Sequence, residues 1–378
     1  MDIERFDLER WQSVHEHDVE INLSESGVHP LRLQEIVETA DLDDLLGQEL
    51  GYTQTNGTLQ LRERVAALYD GASAANVLVT NGGSEANFVT CWHLIEPGDE
   101  VVIGVNGVFG ARMCDVAERC GATVNRVEAE WGTIIEPSAI AAALEDCQPK
   151  LVAIVHAETS TGALTPVEEI SRLARDAGAL FLLDTVTSLG GCPVAIDDWQ
   201  VDAVYSGTQK CLSCPPGLAP VSFSPRAMDV ITGRKTKVQS WYLDVNFLAS
   251  YWGSERVYHH TAPISMNYAL HEALRLVLEE GLEARWARHR QAHETLKAGL
   301  AKLGPGLAKL GQLLERETLR QFHRDGGNFE QALNYQFFAW EFCWEARQAL
   351  DAAGALALLD DSVRIGELSE FFAHALCN

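Results

Sequence analysis

The chain has 378 residues, 47% hydrophobic and 8% aromatic, which suits one large and one smaller domain of the α/β class rather than a disordered or fibrous chain. With 29 basic against 54 acidic side chains the formal charge is −25, a field that repels nucleic acid and anionic membranes and obliges any anionic ligand to find local cations. No apolar run has the length of a membrane span, the start Met1–Asp7 is too acidic for a secretion or organelle signal, and the nine cysteines are scattered without a zinc-type arrangement, so reduced thiols in a cytoplasmic protein are expected.

Residues 1–70 are polar and helix-like, with a loop over Asn22–Pro30 and the segment Tyr52–Arg62. From about residue 76 short apolar runs alternate with amphipathic stretches. Strands are predicted over 76–80, 101–105, 151–156, 180–184, 201–206 and 218–223. Between them, helices opened by a proline are predicted over 137–145 and 166–176. This alternation predicts a mainly parallel sheet sandwiched by helices, with ligands at the carboxyl ends of the strands. One long helical pattern then runs from about residue 268 past Trp286 to Leu303, and Gly304-Pro305-Gly306 stops it. Farther on, Phe329, Leu333, Phe337, Trp340 and Trp344 recur at helical spacing and read as packing. The expected division is an N-terminal arm over 1–25, a large domain over 26–267 and a small C-terminal domain over 268–378, α/β or mostly helical.

Four segments carry candidate chemistry. After the strand predicted to reach residue 206 comes Ser206-Gly-Thr-Gln-Lys-Cys211, where Lys210 leaves a buried strand into a small-residue turn. Partial desolvation there favours a neutral, nucleophilic amine, although a single loop lysine says little. The run Leu180-Phe-Leu-Leu-Asp184 ends on a carboxylate that either faces a ligand at the sheet rim or caps the next helix. In Val77-Leu-Val-Thr-Asn-Gly-Gly-Ser84 a strand runs through glycines into a helix start, so the N–H groups of Gly83 and Ser84 suit a phosphate. This turn matches neither the dinucleotide fingerprint nor the nucleotide phosphate loop. Last, His156-Ala-Glu-Thr-Ser-Thr161 places hydroxyls at a strand end, to bond a ligand or to cap the helix after Pro166.

A lysine nucleophile, an acid, a phosphate turn and a hydroxyl loop are the parts of a pyridoxal 5′-phosphate (PLP) site. Their order, with Asp184 26 positions before Lys210, together with Tyr205–Gly217, Arg234–Asp244, Tyr251–Gly253 and Tyr258–Pro263, resembles the alanine–glyoxylate / serine–pyruvate aminotransferases. These are class V of the fold-type I PLP enzymes, and the likeness runs over about residues 101–303. It implies a PLP-dependent aminotransferase fold and activity, moving an amino group between a small amino acid such as alanine or serine and a 2-oxo acid such as glyoxylate or pyruvate. Lys210 would carry the cofactor as a Schiff base, and Asp184 would face the pyridine nitrogen. Val186 and Phe109 would cover the two ring faces, the family usually having tryptophan at the latter position. Thr159 would contact the cofactor, and Gly83, Ser84 and Gln209 its phosphate, with the family's histidine replaced at Ser84. Tyr258 and Thr261 would reach the neighbouring subunit's phosphate in a homodimer with shared sites. Gly27 and Arg364 would bind substrate, Arg364 through a bidentate carboxylate clamp. The first 100 residues are more similar to class I/II aminotransferases, in which Tyr52 would reach the partner's phosphate; as an ordinary buried aromatic it needs no such role. Two alternatives stay open. One is a lyase of the cysteine desulfurase type, against which stand Gln209 and Phe109 where that type has histidines. The other is a PLP-binding homologue without transaminase activity.

Overall fold

The computed structural model describes residues 54–246 and 262–301. Nine strands lie among them: β1 (Val77–Thr80), β2 (Glu100–Val105), β3 (Thr123–Glu128), β4 (Leu151–Val155), β5 (Ala157–Glu158), β6 (Ala163–Leu164), β7 (Leu180–Asp184), β8 (Ala203–Tyr205) and β9 (Ala219–Phe223). Eight α-helices accompany them: α1 (Leu59–Ala66), α2 (Gly83–Leu94), α3 (Val108–Arg119), α4 (Pro137–Glu145), α5 (Glu168–Asp176), α6 (Pro225–Thr232), α7 (Ile264–Glu280) and α8 (Leu282–Ala301).

Seven of the strands form one sheet in the order β1-β9-β8-β7-β4-β2-β3. Strand β9 runs antiparallel to both of its neighbours, and every other pairing is parallel. Strands β1, β4, β7 and β9 are buried at every residue, which is why they read as unbroken apolar runs rather than as alternation. Their two faces separate two cores. On one face Val152, Ile154, Phe181 and Leu183 pack with Leu61 of α1, Ile140 of α4, Ile170 of α5 and Leu270 of α7. On the other, Leu151, Ala153, Leu180 and Leu182 pack with Ala86 and Val89 of α2, Met113 of α3 and Ile231 of α6.

Three features differ from the sequence expectation. Strand β3 is an addition to it: Thr-Val-Asn-Arg-Val-Glu is a half-exposed edge strand, with too little apolar content to announce itself. The β5–β6 hairpin is too short to leave a periodic signal. The expected single helix to Leu303 is two helices, because Gly281 takes φ 84° between α7 and α8, a left-handed conformation that ends a helix.

Candidate active site

The site is built where the α2–α3 face of the sheet meets its carboxyl edge. Asp184 is the last residue of β7, and the two-residue strand period puts its side chain on the face of Leu180 and Leu182. It is 6% exposed. Its Oδ1 accepts the Val186 N–H at 2.8 Å and its Oδ2 accepts the Tyr205 hydroxyl at 2.7 Å. Burial pushes the carboxyl up to about 6 although both bonds oppose the shift; the Glu158 charge raises it further and Arg112 lowers it. A carboxylate in this state gains most from a cationic N–H partner.

The segment after Asp184 is the hub of the site. The methyls of Val186 lie between two glycines: a Cβ on Gly83 would stand 3.3 Å from Val186 Cγ2, and one on Gly207 would stand 3.1 Å from Val186 Cγ1 and 3.2 Å from Gln209 Oε1. Thr187 is hydrogen-bonded through its hydroxyl to that of Thr159, and its carbonyl accepts Cys211 Sγ–H at 3.2 Å. Gly83, Thr159, Val186, Gln209 and Lys210 are therefore gathered from four segments around one turn. All five are partly exposed, and Ser84 is exposed, as residues lining an open ligand site should be.

Lys210 follows β8 in a tight turn closed by Ser213 N–H to Lys210 O at 3.0 Å and Cys214 N–H to Thr208 O at 3.1 Å. The buried Arg285 of α8 braces this turn, donating to Cys211 O at 2.6 Å and Ser213 Oγ at 2.8 Å. At the other wall, α2 opens directly from the glycine turn, with Gly82 at φ 88°, and Phe109 sits in the first turn of α3 with the Arg112 guanidinium 5.1 Å from its ring centre.

Three residues of this arrangement were not singled out in the sequence. Tyr205 holds Asp184, Arg285 holds the lysine turn, and Glu158 holds Phe109. Glu158, 1% exposed, accepts the N–H groups of Phe109 and Gly110 at 3.2 Å on Oε2, and the Ser160 N–H at 3.2 Å and hydroxyl at 2.7 Å on Oε1. An acid among the hydroxyls of 156–161 was the available signal for it. His156, beside this loop, bonds Ser188 Oγ at 3.0 Å, and burial holds its imidazole down at about 4, so it is neutral at neutral pH. Tyr52, Gly27, Tyr258, Thr261 and Arg364 lie outside the described residues. Among the described residues no group of acids, histidines and cysteines could hold a metal ion, and no helix is long and apolar enough to cross a membrane.

Comparison with known proteins decides the family. The Aminotransferase class-V family matches residues 47–331, three-quarters of the chain and more than the 101–303 stretch on both sides. The chain belongs to the class-V aminotransferases. It is 41% identical over 263 residues to the (S)-ureidoglycine–glyoxylate transaminase of Bacillus subtilis (strain 168), covering 65% of this chain and 61% of that protein. To the alanine–glyoxylate aminotransferase of Oryctolagus cuniculus it is 37% identical over 248 residues, covering 65% and 63%. The chain thus spans about three-fifths of the length of the curated relatives it matches. The crystal structure of an alanine–glyoxylate aminotransferase from Nostoc sp. superposes with a TM-score of 0.64 at 39% identity, covering 77% of this chain and 78% of that one. The mixed, mostly parallel sheet is that of the fold-type I PLP aminotransferases, and class V is PLP-dependent.

The residues present fit that cofactor. A buried carboxylate with a raised proton affinity awaits a cationic N–H, a helix N-terminus opens beside it for a dianionic phosphate, and the partly exposed Val186, packed close against Gly83 and Gly207, supplies an apolar surface that suits a flat ring.

Proposed function

We propose that the protein is a PLP-dependent aminotransferase that passes an amino group from a small α-amino acid to glyoxylate. The observation that carries it is the convergence of Asp184, Val186, Thr159 and Gly83 on one turn at the carboxyl edge of the sheet, with Lys210 next to Cys211, whose thiol reaches the same turn, in a chain whose relatives in this family are named for glyoxylate. When bound, the protonated pyridine ring supplies an electron sink for the substrate α-carbon.

The protein's own residues do the rest. Asp184 keeps the proton on the pyridine nitrogen, and the N–H groups of Gly83 and Ser84 at the positive end of α2 hold the phosphate with Gln209. Val186 and Phe109 confine the ring, and Thr159, tethered to Thr187, supplies a hydroxyl at the rim. Lys210 would hold the cofactor through its amine until an amino substrate takes its place. Its free amine would then move the proton between the substrate α-carbon and the cofactor C4′, acting as base at one atom and acid at the other within each half-reaction, a role worth about 10²- to 10⁴-fold in rate. A homodimer with Tyr258 and Thr261 reaching the partner's site, Arg364 and Gly27 on the substrate carboxylate side, and a cytoplasmic setting complete the proposal; the family likeness and the cysteine usage support them.

The test is a panel of amino donors added to the purified, cofactor-loaded protein. Alanine, serine or (S)-ureidoglycine should bleach the visible absorbance, and glyoxylate should restore it with glycine as product. Borohydride reduction before peptide mapping should label Lys210. Sulfide release from cysteine without bleaching by any of the three would replace the reading with a lyase. A cofactor that no amino acid alters would leave a binding protein.

A further inference from the structure

Strands β7 and β8 are parallel neighbours, and their register sets Asp184 directly against Tyr205. Both side chains emerge on the α2–α3 face, so the last residue of each strand meets the other at the carboxyl edge. Tyr205 is 1% exposed and is among the largest fully buried side chains. Burial, and next the Asp184 charge, push its phenol well above its ordinary value, so the hydroxyl keeps its proton and serves as a donor. Its bond to Asp184 Oδ2 at 2.7 Å and the Val186 N–H bond to Oδ1 at 2.8 Å give each carboxylate oxygen one donor. A carboxylate oxygen accepts about two, so each keeps capacity for an incoming N–H. Turning the carboxylate would break both bonds at once.

The charges around Asp184 do not do this work. Glu158, from β5, opposes its ionisation; Arg112, from α3, favours it less strongly than either hydrogen bond does, and burial outweighs them all. The two short donors are what hold the group ionised and aimed.

We propose that Tyr205 is a positioning residue of the site, whose hydroxyl fixes the Asp184 carboxylate in the orientation and charge state that receive a protonated pyridine nitrogen. The inference rests on the PLP reading above and adds to it a residue that acts through Asp184.

Pyridoxamine 5′-phosphate is the probe, because it forms no bond to Lys210 and so leaves the lysine's titration out of the measurement. Its affinity is measured against pH for the full chain, Tyr205→Phe, Asp184→Asn and the double variant. Tyr205→Phe should bind about tenfold more weakly at neutral pH, with the acid limb of the pH profile moved up by about one unit. In the Asp184→Asn background, Tyr205→Phe should cost less than about twofold. Unchanged affinity and pH profile in Tyr205→Phe overturn the proposal, as does an equal loss in both backgrounds, which is what a packing role alone would give. Should Tyr205→Phe fail to fold, 3-fluorotyrosine at position 205 keeps the shape and strengthens the donor. It should move the acid limb down, and an upward or absent shift overturns the proposal. Wild-type protein that binds no pyridoxamine 5′-phosphate overturns the PLP reading itself, a result distinct from any failure of the variant.

Discussion

Glu158, in β5 just beyond the carboxyl end of β4, and Asp184, the last residue of the neighbouring β7, are buried acids 1% and 6% exposed, yet their surroundings treat them differently. Glu158 receives donors from four groups, two of them the Phe109 and Gly110 N–H groups in the first turn of α3. It closes a local circuit between the hydroxyl loop and the helix that carries Phe109. Asp184 receives two and is pushed up to about 6 by burial, so its circuit stays open. A buried acid with its donors supplied by the fold is a structural part. One left short of donors stores a demand that a ligand can meet, and the family's cofactor has a cation of the right kind to meet it.

The largest expected effect separates the two acids. Glu158→Gln should lower unfolding free energy by about 3 kcal/mol or more at neutral pH, since an amide NH₂ turned against the two donors on one oxygen leaves them unpaired. Urea denaturation of the cofactor-free protein measures it, and a loss under about 1 kcal/mol would remove Glu158 from the framework. Asp184→Asn should act in the opposite direction. The folded carboxyl titrates at about 6 against an ordinary 3.8, so the folded state holds this proton more tightly than the unfolded chain does. The group's contribution is therefore full below about pH 4 and is lost as pH rises through about 6. The difference of about two units corresponds to about 3 kcal/mol. Cofactor-free Asp184→Asn should accordingly be more stable than wild type by about 2 kcal/mol at pH 8, with the gain fading by pH 4, while retaining cofactor poorly. Equal stability at both pH values would mean that Asp184 carries no such demand.

Much of this edge was legible in the sequence because strands buried on both faces announce themselves as apolar runs, and Leu180–Asp184 ends in a residue that breaks the run. The lysine turn and the glycine turn were visible for the same reason, as polar punctuation at strand ends. Tyr205 and Glu158 were not, because their roles depend on partners far along the chain. Tyr205 matters through a cross-strand register with a residue 21 positions earlier, and Glu158 through a fold-back onto a helix start 49 positions earlier. Local composition carries neither relation. Strand β3 and the break at Gly281 escaped for a simpler reason: an edge strand needs few apolar residues, and the helical spacing continues unbroken on both sides of the glycine.

Phe109 sharpens the comparison, since its two halves belong to different circuits. Its backbone N–H is held by Glu158 at 3.2 Å, whereas its partly exposed ring packs at the margin of the α2–α3 core beneath Arg112. Phe109→Leu keeps the backbone bond and most of the apolar contact, so unfolding free energy should fall by less than about 1.5 kcal/mol. The lost aromatic face should instead show in cofactor retention, where stacking is worth about 0.5–1.5 kcal/mol, or roughly two- to tenfold in affinity. Phe109→Trp, with a larger face in the same place, should move affinity the other way. Equilibrium dialysis with PLP reads both variants beside a urea titration of each. If Phe109→Leu loses stability to the extent of Glu158→Gln while binding cofactor as wild type does, the ring is core rather than site. The closed circuit at Glu158 would then take in the whole of Phe109, and the open one at Asp184 would lose that wall.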